Sequence, residues 1–328
     1  VHGDRGGSAA QYVRPGAASG KSVAVVGGGP SGLVAAYHLA RLGHAVEIYE
    51  AQPEIGGMLR WAITEYRLPS KVLERELEVF AALGVKVNTG VRLGKEIRWS
   101  DLDRFDAVFI ATGAWKPRRL NIPGETLDGV HDGLDYLCQV RAGSAPALGA
   151  RVAVIGGGNT AIDAARTARR KGATVDVYYD QLLAIPEEVT AARGEGITFH
   201  HAMVPVAFEA GAGGRLNLFL RDLATAPPQA NDPVVPFHTR TDTADCVLVC
   251  IGGDADLDYI EPGDLAESGR IRIDAWGRSR QARVFAGGDA SSAGVGTVVG
   301  AINAGKRAAL AINAQLGGRP LDEPALQL

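Results

Sequence analysis

One arrangement occurs twice in this chain. An all-apolar run leads into a glycine-rich turn. A helical run ending in glycine follows, and then a second apolar run that ends in an acid. The first copy is "SVAVVG", "GGGPSG", "LVAAYHLARLG" and "AVEIYE"; the second is "ARVAVIG", "GGNTAIDAARTARRKG" and "TVDVYYD". A continuous apolar strand fits a parallel sheet covered on both faces, and strand–turn–helix–strand is a βαβ unit. Each copy is followed by a further apolar strand and a glycine turn, "FDAVFIATGA" and "TADCVLVCIGGD". A repeat on this scale predicts two dinucleotide-binding modules.

The turns carry the chemistry. Gly27-Gly28-Gly29-Pro30-Ser31-Gly32 is a G-x-G-x-x-G. Gly27 permits the tight turn, Gly29 lets a pyrophosphate approach the backbone, and Gly32 lets helix and strand pack closely. The helix N-terminus offers free N–H groups and a partial positive charge. Glu50 ends the second strand roughly twenty residues on, where a ribose-binding acid belongs. Gly156-Gly157-Gly158-Asn159-Thr160-Ala161 is the G-x-G-x-x-A variant, and Asp180 stands where its second strand runs out.

The rest of the 328 residues is read around these modules. "PSKVLERELEVFAALG" (69–84) predicts a helix with Ser70 as N-cap, and "VKVNTG" a strand. "ARVFAGGDASSAGVGTVVGAINAGKRAALAI" (282–312) predicts a short strand, a glycine-rich loop and a helix that return to the first module. The expected fold is therefore α/β with two Rossmann-like dinucleotide-binding domains, the second inserted into the first. Expected boundaries are a tail or linker over 1–20, a first domain over 21–120 and 255–328, and a second over 121–254.

Composition removes several function classes. The net charge of −3 favours neither nucleic acid nor an anionic membrane as partner. The 43 glycines follow no collagen period. No run of about 18 apolar residues is present and the N-terminus lacks an apolar core segment, so a cytoplasmic location is expected. Three cysteines are too few for a cysteine-ligated iron–sulfur cluster. Cys246 and Cys250 share one expected strand, roughly 13 Å apart at 3.3 Å per residue, beyond the about 7 Å a disulfide spans; both are expected as buried thiols. His200 and His201 point to opposite faces of a strand and make a poor chelate, so no metal site is expected. No Ser/His/Asp cluster is apparent. Hydride exchange between nicotinamide and flavin needs no protein nucleophile, which suits this chain.

Five segments together resemble the FAD- and NAD(P)H-binding part of the glutamate synthase small-subunit family, shared with flavin subunits of several multi-subunit oxidoreductases. They are "VAVVGGGPSGLVAAYHLARLGHAVEIYEA", "GGMLRWAITEYRLP", "ATGAWKPRRLNIPGE", "VAVIGGGNTAIDAARTARRKGA" and "VFAGGDASSAGVGTVVGAINAGKRAA", covering most of Lys21 to Ile312. The resemblance implies FAD at the first turn, held by Gly27, Gly29, Pro30, Ser31, Gly32 and Glu50. Gly57, Met58, Leu59 and Arg67 would line the flavin side, Val91 the adenine through its backbone, and Ala111, Thr112 and Gly113 a second turn. Gly288 and Asp289 would meet the ribityl chain, and Thr297 and Val298 the flavin ring. It implies a nicotinamide nucleotide at Gly156, Gly158, Asn159, Thr160, Ala161, Asp180, Ile251, Gly252 and Gly253.

The chain departs from the pattern in three places. It begins almost at the first strand, so no cluster of its own is expected. Ala62–Tyr66 lacks the proline of the common "GIPEYRLP". Tyr178-Tyr179-Asp180 stands where NADPH-using members read "YRR", and a carboxylate there accepts from the 2′-OH of NAD and repels a 2′-phosphate. The expectation is an FAD-dependent NAD(H) oxidoreductase subunit that passes electrons to or from an iron–sulfur cluster of a partner. That partner would be a glutamate synthase-like large subunit or a molybdenum or tungsten enzyme. The alternatives are a stand-alone NAD(P)H:ferredoxin or quinone reductase and a non-catalytic FAD-binding structural or sensor subunit.

Overall fold

The computed structural model describes residues 13–224, 239–266 and 268–320. They form two compact units. The first comprises 13–60, 65–116, 254–266 and 268–320, and the second 61–64, 117–224 and 239–253. Both contain the expected Rossmann-like α/β sheet.

In the first unit five parallel strands run in the order Val284–Ala286, Ala107–Ile110, Ser22–Val26, Ala45–Glu50, Lys86–Thr89. Ser22–Val26 is central, and nearly every side chain on it is buried. That is why its sequence is apolar on consecutive residues instead of alternating. Helix Pro30–Arg41 begins at N-cap Gly29 with proline at its first position, where a missing N–H costs nothing. Helix Val298–Leu316 begins at N-cap Thr297, whose side chain accepts from the Gly300 amide. The two helices approach closely: a Cβ on Gly305 would lie 2.2 Å from the Ser31 carbonyl oxygen.

Two details differ from expectation. The stretch 1–20 is described from Val13, which packs against the core of this unit. Ser19 donates its amide to the Gly43 carbonyl, and its hydroxyl pairs with His44 Nδ1. The described part of the expected tail is thus held to the unit. Ser70 is the first residue of helix Ser70–Ala82, and Pro69 is the N-cap. The Glu65 carboxylate accepts from both the amide and the hydroxyl of Ser70, so an upstream acid does the work expected of the serine.

In the second unit five parallel strands run Val130–Asp132, Cys246–Val249, Arg151–Ile155, Thr174–Tyr179, Thr198–His201. A three-stranded antiparallel sheet, Met203–Ala210, Leu216–Asp222 and Thr239–Ala244, was not anticipated. Its inward residues Phe208, Leu216, Leu218 and Leu220 pack with Tyr178 and Ile155, covering one face of the parallel sheet. His200 and His201 do face opposite ways. His200 stacks on Tyr178 and bonds Asp176, whereas His201 lies against Tyr179. All three cysteines are free thiols.

Candidate functional site

The first glycine turn sits at the carboxyl ends of the central strands, where an open α/β sheet offers its ligand crevice. Gly27 has φ +105°, and a Cβ there would meet the Ala111 carbonyl oxygen at 2.4 Å. Its amide donates to the Tyr49 carbonyl, and the Ala111 amide to that of Val26. The Gly27 and Ala111-Thr112-Gly113 turns are therefore in backbone contact, and Gly113 also has a positive φ of +75°. A third turn joins them: Gly56 donates to the Gly28 carbonyl, and Gly57 leaves no room for a Cβ beside Gly29. A fourth, Gly287-Gly288-Asp289, is tied in by the Gly287 amide on the Ile110 carbonyl.

The acid is built into this cluster. Glu50 is 6 % exposed. Its carboxylate accepts from Gly28 N at 2.7 Å and Gln52 N at 2.8 Å. Burial pushes its pKa up, and the backbone donors at Gln52 and Gly28 oppose the rise. Asp289 accepts from the Gly296 amide at 2.9 Å, closing the loop that leads to Thr297. The Val91 amide donates to the Glu50 carbonyl. Met58 and Leu59 begin a one-turn helix beyond Gly57, and Arg67 is half-buried before helix Ser70–Ala82.

Two observations fit these residues to a dinucleotide. Gly29 has only the Gly57 Cα within 4 Å of a notional Cβ, so its outer face is open at the helix N-terminus, where a pyrophosphate belongs. Ser31 Oγ is buried yet has no hydrogen-bond partner, an orphaned donor that an anionic ligand would satisfy.

The second turn repeats the logic with one addition. Gly156 has φ +132°, and a Cβ there would lie 2.3 Å from the Cys250 carbonyl oxygen. Cys250 donates its amide to Ile155, so Ile251, Gly252 and Gly253 lead away from this turn. Gly158 has nothing within 4 Å of a notional Cβ, again an open face. Thr160 is half-buried in the first turn of helix Asn159–Arg170, and Ala161, in place of the third glycine, is fully buried. Asp180 is exposed beyond the end of strand Thr174–Tyr179.

The addition is the loop 181–185. The Gly157 carbonyl accepts from the Leu183 and Ala184 amides, and Asn159 Oδ1 accepts from Ile185 N at 3.0 Å. Asn159, expected as a nucleotide contact, therefore spends its acceptor on this loop. Sequence reasoning also missed Tyr259, whose hydroxyl lies 2.8 Å from Thr112 Oγ1. Tyr179, beside Asp180, is buried and packs edge-on to Phe199.

Residues 21–305 match the family described as pyridine nucleotide-disulphide oxidoreductase. The chain is 38 % identical to the NADP(+)-dependent formate dehydrogenase subunit beta of Moorella thermoacetica, over 91 % of this chain and 44 % of that protein. It is 34 % identical to the glutamate synthase [NADPH] small chain of Halomonas elongata, over 82 % of this chain and 62 % of that one. It thus spans less than two thirds of either relative. Among solved structures it resembles thioredoxin reductase of Lactococcus lactis (FR conformation), with TM-score 0.71 and 22 % identity over 91 % of this chain and 99 % of that one, a likeness of fold.

Proposed function

The chain belongs to the pyridine nucleotide-disulphide oxidoreductase family, and from that premise we propose that it is the FAD-bearing, NAD(H)-facing part of a multi-subunit oxidoreductase. The observation that carries the reading is the pair of glycine turns, each with an open outer face, at Gly29 and Gly158.

In this reading the Gly27–Gly32 turn and the amides of helix Pro30–Arg41 bind the FAD pyrophosphate, with Ser31 Oγ gaining its missing partner. Glu50 orients the adenosine ribose, and Val91 meets the adenine. Asp289 and Gly288 hold the ribityl chain. Gly57, Met58, Leu59 and Arg67 line the flavin side. The first-turn amides after Thr297 and Val298 stabilise negative charge near the ring. FAD supplies hydride exchange with the nicotinamide and onward electron transfer. The Gly156–Ala161 turn binds the second pyrophosphate, and Ile251-Gly252-Gly253 flanks it.

Asp180 accepts from the 2′-OH of NAD, and "YYDQLLAIP" offers no cation for a 2′-phosphate. The two relatives above carry NADP(+) or NADPH in their names, so preference for NAD(H) rests on this strand end. The iron–sulfur cluster that exchanges electrons with the flavin is proposed to lie on a partner, outside residues 1–328, whose three cysteines are too few to ligate one. That partner would be a glutamate synthase-like large subunit or a molybdenum or tungsten dehydrogenase.

The test is purification from its native host with associated chains, followed by anaerobic titration of the flavin. Expected are a co-purifying iron–sulfur subunit and bleaching by NADH at lower concentration than by NADPH. A chain that is stably alone, or that carries FAD which NADH leaves oxidised, overturns the reading.

A further inference from the structure

The turn Ala111-Thr112-Gly113 has a partner that no motif marks. Thr112 lies near the end of the chain's first pass through the first unit, which stops at Lys116, and Tyr259 lies on the return, which restarts at Asp254. Their hydroxyls meet at 2.8 Å.

Tyr259 is fixed from several sides. Its carbonyl accepts from Trp99 Nε1 at 2.7 Å. A Cβ on Gly94, where φ is +89°, would stand 3.0 Å from the Tyr259 Cβ, so the backbone approaches it closely. Arg92 bonds Asp256 and Asp258 on the same returning segment, and the preceding residue, Val91, donates to the Glu50 carbonyl. One rim of the first unit thus runs from Glu50 through Val91 and Arg92 to Tyr259 and Thr112.

We propose that Tyr259 is a positioning residue for FAD: its hydroxyl holds Thr112, and through it the Ala111–Gly113 turn, in the conformation that receives the dinucleotide. Burial pushes the phenol up to about 12, so the bond persists across the working pH range. Removing the hydroxyl releases the Thr112 side chain and the turn beside Gly27, and FAD is then bound by a turn it must first order. The proposal rests on the reading that the first unit takes FAD.

The test is a double-mutant cycle on FAD affinity. The FAD-free protein is titrated with FAD, and quenching of flavin fluorescence is followed for wild type, Tyr259→Phe, Thr112→Val and the double variant. A net hydrogen bond of about 1 kcal/mol corresponds to about a fivefold weaker Kd for each single variant. The double variant should be no weaker than the worse single, and the FAD-free chain should melt only a few degrees lower in Tyr259→Phe, as the loss of one net hydrogen bond implies. Wild-type affinity in Tyr259→Phe, or single effects that multiply in the double variant, overturns the positioning role and leaves the FAD site standing. A wild-type chain that binds no FAD overturns the site and this role together.

Discussion

The Glu50 carboxylate takes the Gly28 amide at 2.7 Å within the glycine turn itself. The acid at the strand end therefore helps to shape the turn itself. Glutamine in its place keeps one carbonyl oxygen but turns an NH2 group toward Gly28 or Gln52. Glu50→Gln should leave one of those amides unsatisfied, at about 1–3 kcal/mol, and release FAD, as read by flavin content after gel filtration.

Titration of Glu50 gives a signed expectation. Burial raises its folded pKa, so its contribution to stability is fully present below the unfolded value and is lost as pH rises through the folded one. Urea midpoints of the FAD-free protein over roughly pH 4–7 should therefore show the advantage of wild type over Glu50→Gln shrinking as pH rises.

Ser31→Ala separates binding from folding. The hydroxyl is buried and unpartnered, and burying such a group costs about 1–3 kcal/mol. The variant should melt at or above the wild-type temperature without FAD and bind FAD more weakly. Equal FAD affinity would remove Ser31 from the site.

Two adjacent glycines should behave differently. Gly158→Ala adds a methyl group to open space, so stability should hold while nucleotide binding at the second turn falls. Gly157→Ala puts a Cβ 2.0 Å from the Gln181 carbonyl oxygen, so thermal unfolding should come several degrees earlier, with loop 181–185 displaced.

Cofactor preference should turn on exposed positions. Asp180→Arg with Gln181→Arg replaces a repelling group with two cations, and both residues are exposed. The ratio of kcat/KM for NADPH over NADH should rise by roughly 10–100-fold. Tyr179→Arg is the wrong companion, because Tyr179 is 7 % exposed within the core, and an arginine there would be buried.

The thiols should be inert. Burial raises Cys138 to about 11 and Cys246 to about 12, and raises Cys250 as well. At pH 8 roughly one Cys138 in a thousand is thiolate, so N-ethylmaleimide should label the folded protein slowly and all three sites only after unfolding.

Both glycine turns, their strands and their acids were legible because apolar continuity, turn geometry and a terminal carboxylate are local signals. The packing of Gly305 on Ser31 and the meeting of Thr112 with Tyr259, 147 residues apart in the chain, are products of tertiary folding and leave no local pattern. The antiparallel sheet from Met203 did carry one: buried Leu216, Leu218 and Leu220 alternate with half-buried Asn217, Phe219 and Arg221. Ser70 misled because serine commonly caps helices, whereas here Pro69 sets the entry angle and Glu65 supplies the acceptor.

Loop 181–185 is attached to the second turn largely through main-chain amides. Substitutions in the exposed side chains of Asp180, which precedes the loop, and of Gln181 and Leu183 within it leave those attachments untouched. In the proposed reading, selection can thus change which pyridine nucleotide is accepted at this strand end one residue at a time, without disturbing the glycine turn the loop is tied to.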